Sequence, residues 1–295
     1  MISAEVYKKQ FIDTWVDSPL QNIHSICLKR EDENVTGSIK SRGLVWQIYE
    51  LVKAQIDKVV ISSSGNAAVA ASYYADKAGI KLYAFVPTSI DPKKLAALRQ
   101  YHAVVSVGDN AADRANEYAQ KNQIKLMRQS LDPVARYGFQ LLAQNLQAQL
   151  SASSISFADT SIFFPTSSGT TVSGFATGCI QNNYPLPQLQ IVQTSAVNTI
   201  ARVFDQEFHR IARSIASGIV ARKIDNTYYE DVIAAVKRSE GSGWVVSDLA
   251  ITESFDELKS FGINTSLEGA MAYAGLKKAQ EKSFPLRPNL VVVLT

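Results

Sequence analysis

The chain has 295 residues, 46% of them hydrophobic, enough for a sizeable core and for one large domain or two ordinary ones. With 19% charged residues, a formal net charge of +3 and no long Lys/Arg run, composition gives no ground for a nucleic-acid partner. The two cysteines (Cys27, Cys179) have no paired spacing, the three histidines (His24, His102, His209) lie far apart, and neither a signal-peptide core nor a run of about 18 apolar residues occurs; no metal centre or membrane span is expected, and the expected location is a reducing cytoplasm.

From residue 57 the chain alternates apolar runs with helical patterns. KVVISSS predicts a buried strand, and NAAVAASYYADKAG a helix capped near Asn66 and stopped at Gly79. KLYAFVP predicts a strand, PKKLAALRQY a helix with Pro92 in its first turn, AVVSVG a strand, NAADRANEYAQKN a helix and IKLMRQS a strand. DPVARYGFQLLAQNLQAQL predicts a long helix, followed by the Ser-rich break SASSISFADT. The alternation then resumes with SIFFP, a Gly/Ser/Thr loop and helix, LQIVQTS, a helix at YYEDVIAAVKRSE, GWVVSD, two helices at LAITESFDELKSFG and LEGAMAYAGLKKAQEK, and the strand NLVVVLT. Strand and helix in alternation make a parallel sheet with crossover helices, here in two α/β lobes, and a ligand is expected at the carboxyl ends of the strands, in the crevice.

Three loops carry the residue types that chemistry needs. SSSGNAA (62–68) joins a strand to a helix, whose free N–H groups suit a carboxylate or phosphate, and Gly65 opens conformations closed to other residues. PTSSGTTVSG (165–174) offers successive N–H groups and the hydroxyls of Ser167, Ser168, Thr170 and Thr171, a cradle for a phosphate that is neither a P-loop nor a GxGxxG fingerprint. NVTGSIKSRG (34–43) sets Lys40 among small residues, where an amine loses part of its preference for the charged form and can join a carbonyl. Taken singly, each of the first two also reads as a plain turn, and a lone lysine reads as a solvated charge.

The order LKREDENVTGSIKSRG, ISSSGNAAVAASYYADKAG, FFPTSSGTTVSG resembles the tryptophan-synthase-β superfamily of pyridoxal-phosphate (PLP) enzymes, fold type II, across nearly the whole chain. The family's K-x-E followed by P-T-G-S-F-K-x-R-G is met by Lys29, Glu31 and residues 35–43, so the resemblance makes Lys40 the Schiff-base lysine. It makes Asn66 the hydrogen-bond partner of the cofactor's phenolic oxygen, and Ser167, Ser168, Gly169, Thr170 and Thr171 the phosphate loop. It sets Thr295 against the pyridine nitrogen, and Ser63, Ser64, Gly65, Asn66 and Ala67 on the substrate carboxylate. DSPLQNI resembles the family's T-P-L entry motif. The implied architecture is two lobes of mostly parallel twisted sheet with helices on both faces: residues 1–35 and 149–295 as the larger, PLP-binding lobe and 36–148 as the smaller, with PLP in the crevice between them.

Among the branches the wording looks closest to threonine synthase: SLDPVARYGFQ resembles N-P-x-R-x-E-G-Q, which makes Arg136 a clamp for a substrate phosphate, and RSIASGIVAR and LEGAMAYAGLKK fit as well. LKREDENVTGSIKSRG instead resembles the serine/threonine dehydratases. Three features depart from the family: SSGTTVSG replaces the threonine-synthase G-N-x-G-N, Val35 and Ile39 replace a proline and an aromatic, and relatives continue G-x-G-x-K-D where this sequence has reached Thr295. The resemblance implies a homodimeric lyase acting on a small amino acid, O-phosphohomoserine in the threonine-synthase reading. Serine/threonine dehydration, β-replacement by a sulfur nucleophile, and PLP binding without turnover remain as alternatives on the same scaffold.

Overall fold

A computed structural model describes residues 1–63, 65–128, 132–221 and 226–295. In chain order the described elements begin with helix α1 (Ala4–Phe11), the hairpin strands β1 (Leu20–Ile23) and β2 (Ile26–Arg30), and α2 (Lys40–Lys53). There follow β3 (Lys58–Ser62), α3 (Asn66–Ala78), β4 (Lys81–Val86), α4 (Pro92–Gln100), β5 (Val104–Val107), α5 (Ala111–Asn122), β6 (Lys125–Met127) and α6 (Ala135–Ala152). The remainder is β7 (Thr160–Pro165), α7 (Thr170–Gln181), β8 (Gln188–Thr194), α8 (Asn226–Arg238), β9 (Ser242–Val246), α9 (Asp248–Ser260), α10 (Leu267–Glu281) and β10 (Asn289–Leu294).

The element boundaries follow local chemistry. Gly79 ends α3 in the left-handed region (φ 71°), where its N–H reaches back to Ala75 and Asp76 carbonyls. Asp91 starts α4 by accepting from the Lys93 and Lys94 N–H groups, with Pro92 at the first helical position. At α3 the expected cap is displaced by one residue: Gly65 is the cap and Asn66 is already helical. The four elements ahead of residue 57 lie outside the alternation read from the sequence. No helix among the described residues is long and apolar enough to cross a membrane.

The chain divides into two compact units, Met1–Val16 with Val35–Gly138 and Asp17–Asn34 with Phe139–Thr295. In the first unit a four-stranded parallel sheet runs in the order β5-β4-β3-β6. Successive strand residues face opposite ways, and β3 shows it: Val59 and Ile61 pack with Leu44, Ile48, Ala71 and Ala75 of α2 and α3, while Val60 packs with Ala115 and Ala119 of α5. Residues 1–16, expected with the larger lobe, go with this unit because α1 packs on α2: Tyr7 is fully buried, its hydroxyl donating to Val45 O at 3.1 Å. The passage to the second unit falls within α6, a continuous helix, rather than after residue 148.

The second unit has a six-stranded sheet in the order β1-β2-β10-β7-β8-β9, parallel apart from the β1–β2 hairpin. Phe163 of β7 joins Ile251 and Leu258 of α9 and Met271 and Leu276 of α10, whereas its neighbour Phe164 meets Phe175 of α7 at 5.1 Å between ring centroids. Helices therefore cover both faces, which explains why β8 is buried along its whole length and reads as a continuous run.

Candidate active site

Lys40 is the first residue of α2. The approach needs Gly37 at φ 71°, a conformation that a side chain makes costly, and Thr36 and Ser41 hydroxyls meet across the turn. The residues after Lys40 anchor the helix: Ser41 and Arg42 are buried, and the Arg42 guanidinium stacks 5.3 Å from the Trp15 ring centre. The bulk of "SR" in the motif is thus structural, and it fixes the backbone that presents Lys40.

α2 ends into β3 and α3 leaves from β3, so both helices start at the carboxyl end of that strand and pack side by side. Asn66, the first residue of α3, and Ala67 lie in that first turn, with Gly65 extended (φ −137°, ψ −152°) before them. Gly65 is therefore not required for a left-handed backbone, contrary to the expectation from sequence; a Cβ there would meet nothing within 4 Å, so the glycine leaves open space beside the helix start. Ser63 Oγ accepts from Gly65 N at 3.3 Å, and Ser64 lies outside the described residues. Arg136 is the second residue of α6, half-buried. Gly138, two residues on, seats α6 against α2: a Cβ there would run into Arg42 O. The first turns of α2 and α6, carrying Lys40 and Arg136, are thereby brought against each other.

In the second unit, residues 166–169 leave the carboxyl end of β7 and turn into α7 through left-handed Gly169 (φ 86°). A side chain at Gly169 would come within 2.7 Å of Val232 Cγ2, so the turn demands glycine. The first helical bond runs from Ser173 N to Gly169 O, so the Thr170, Thr171 and Val172 N–H groups precede the helix ladder, with no side-chain cap and no acid in the first turn. Ser168 and Thr170 hydroxyls share a bond at 2.9 Å. Ser167 Oγ accepts from Val220 N (3.1 Å) and Ala221 N (3.2 Å), which occupies both lone pairs and leaves its O–H to donate outward. A set made of N–H groups and hydroxyls fits a phosphate dianion and suits no cation.

β10 and β7 are parallel neighbours with Val292 opposite Phe163, and continuing that register sets Thr295 level with Thr166. Thr295 is buried, and its carbonyl accepts from the hydroxyl of Ser266, the cap of α10. The second unit thus brings the loop of residues 166–169, the first turn of α7 and Thr295 to the same end of one sheet. Lys29 and Glu31 of the K-x-E motif have no exposure: Lys29 Nζ donates to Ser18 O (2.6 Å) and Gln149 Oε1 (2.9 Å), and Glu31 accepts from Ser18 Oγ (2.6 Å). They tie β2 to α6 rather than facing a ligand. Both cysteines are buried, and burial pushes the Cys179 thiol up to about 12, which removes it as a nucleophile.

Sequence reading missed Gln193, at the end of β8. Its side chain bonds Ser167 O, Ile200 N and Ala201 N. The only signal was a polar residue inside the buried run LQIVQTS.

Residues 16–295 match the family described as "Pyridoxal-phosphate dependent enzyme". The chain is 26% identical over 293 residues to the threonine synthase of Methanocaldococcus jannaschii, covering 92% of this chain and 70% of that protein. It is 31% identical over 110 residues to a serine dehydratase-like protein of Rattus norvegicus, a match of 37% of this chain and 33% of that protein's length. Among solved structures it shares its fold with a T.th. threonine deaminase (TM-score 0.80, 20% identity, 98% of this chain and 95% of that one) and with a pyridoxal 5'-phosphate-dependent aspartate racemase (TM-score 0.82, 17% identity, 98% and 92%). The chain belongs to the pyridoxal-phosphate dependent enzymes, of fold type II, and pyridoxal 5'-phosphate is its cofactor.

Proposed function

We propose that the chain is a lyase of threonine-synthase type, which takes O-phosphohomoserine and water to threonine and phosphate. The observation that carries this reading is the likeness to a threonine synthase along 92% of the chain. The position of Arg136 in the first turn of α6, packed by Gly138 against the helix that begins with Lys40, supports it.

The cofactor would supply the electron sink for a carbanion at the substrate's Cα. Lys40 Nζ would hold it covalently and, once displaced by the amino acid, take the Cα proton. The first turn of α3, with Ser63, Gly65, Asn66 and Ala67, would bind the substrate carboxylate through N–H groups and hydroxyls, and Asn66 would also hold the cofactor's phenolic oxygen. Ser167, Ser168, Thr170, Thr171 and the N–H groups that follow Gly169 would hold the cofactor phosphate. Thr295 would offer the cofactor's ring nitrogen a neutral hydroxyl rather than a carboxylate, which would disfavour protonation there and favour loss of a leaving group from the substrate's side chain. Arg136 would hold the departing phosphate.

A second reading rests on the serine dehydratase-like match at 31% identity over 110 residues: elimination from serine or threonine to a 2-oxoacid. One assay separates the two. Purified holoenzyme incubated with O-phosphohomoserine should release threonine and phosphate in equal amounts. Formation of 2-oxoacid from serine or threonine, with O-phosphohomoserine untouched, would replace the synthase with the dehydratase.

A further inference from the structure

Gln193 is the penultimate residue of β8 and has no exposure to solvent. A buried amide is tolerated where both its halves are bonded, and here both are. Oε1 accepts from Ile200 N and Ala201 N, each at 2.8 Å, where the chain enters the 3-10 turn Ala201–Val203. Nε2 donates to Ser167 O at 3.2 Å. The two backbones it joins flank Gly169, since a Cβ on Gly169 would come within 3.1 Å of Ile200 Cδ1. One side chain therefore spans the loop from below, holding Ser167 on one side and the residue packed under Gly169 on the other.

The geometry points to Gln193 as the positioning residue of the cofactor's phosphate: through Ser167 O it fixes where the Ser167 O–H and the amides after Gly169 are aimed. This rests on the reading that residues 167–171 hold that phosphate. The amide chemistry is specific. A carboxylate at 193 would still accept from Ile200 N and Ala201 N, but it would set an oxygen against the Ser167 carbonyl in place of a donor, so Gln193→Glu removes one of the three bonds and keeps two. Gln193→Met removes all three at similar volume and adds no charge.

Affinity for PLP and for pyridoxal, which carries the same reactive carbonyl without the phosphate, isolates the effect. With the full chain stripped of cofactor, both variants should bind PLP about tenfold more weakly while pyridoxal affinity is unchanged, the loss of roughly one hydrogen bond to a charged partner. Thr170→Val, which touches the phosphate loop directly, should lower the same preference. Equal weakening toward PLP and pyridoxal makes Gln193 merely structural and overturns the proposal. A preference lowered by Thr170→Val but intact in both Gln193 variants overturns the proposal and leaves the loop reading standing. A preference intact in all three removes the loop reading, and the proposal with it. If neither Gln193 variant folds, hydrogen exchange on the wild-type chain decides: PLP, and not pyridoxal, should slow exchange at the Ile200 and Ala201 amides, and equal slowing by both ligands overturns the proposal.

Discussion

Lys40 begins α2, and Gln193 lies buried near the end of β8. Lys40 stands in a string of small residues, ahead of buried Ser41 and Arg42. Lys40→Ala should abolish the visible absorption of bound cofactor while leaving the thermal midpoint of the cofactor-free chain within a few degrees, because the side chain is not part of the core. A visible band that survives the substitution would remove Lys40 from its role. Gln193 was not legible because a glutamine in a buried strand announces an unmet need for partners without naming them; Ser167 and Ile200 are 26 and seven positions away in opposite directions. The cysteines give a negative prediction at this scale. With Cys179 raised to about 12 and Cys27 also raised by burial, both thiols stay protonated at pH 8, so native-state alkylation should be slow and unfolding in urea should expose both. Fast modification of the native chain would contradict the burial.

Between elements, backbone contact through glycine decides how helices meet. Gly138 lets α6 lie on Arg42 O, and Gly178 of α7 faces Gln140 of α6, where a Cβ would stand 2.6 Å from the carbonyl. Gly138→Ala should cost roughly 1–3 kcal/mol in urea unfolding and displace the first turn of α2, lowering cofactor affinity as well. An alanine variant as stable as wild type would show that the two helices are not in van der Waals contact there. Lys29 tests the other kind of junction. Lys29→Met removes one partner of a fully buried pair, Lys29 Nζ and Glu31 Oε1 at 3.8 Å, and should cost about 3–5 kcal/mol in urea unfolding; a variant as stable as wild type would contradict the pairing. The alternation from β3 to β10 was legible because strands buried on both faces read as runs and the helices between them keep an apolar stripe. α2 was less so: Ser41, Arg42, Gly43, Leu44, Val45, Gln47 and Ile48 are all buried, which erases the one-sided pattern that marks a surface helix. Gly65 was read as a conformational device and is instead an absence of bulk, a distinction that sequence cannot make.

For the whole molecule, the α/β class and the parallel sheets followed from periodicity, while the grouping of segments did not. Residues 1–16 belong with 35–138 through the Tyr7 contact, and residues 17–34 supply β1 and β2 to the other sheet, an exchange of segments that no local pattern encodes. The family and its cofactor are shown by the match over residues 16–295, whereas the proposed leaving group rests on a likeness along 92% of this chain and 70% of the relative, and on Arg136. Everything proposed for the reaction depends on where the cofactor is attached. Borohydride reduction of the holoenzyme, digestion, and mass spectrometry of the modified peptide locate that bond. A single phosphopyridoxyl group is expected on the peptide that contains Lys40, and a label on any other lysine, or none, would contradict attachment there.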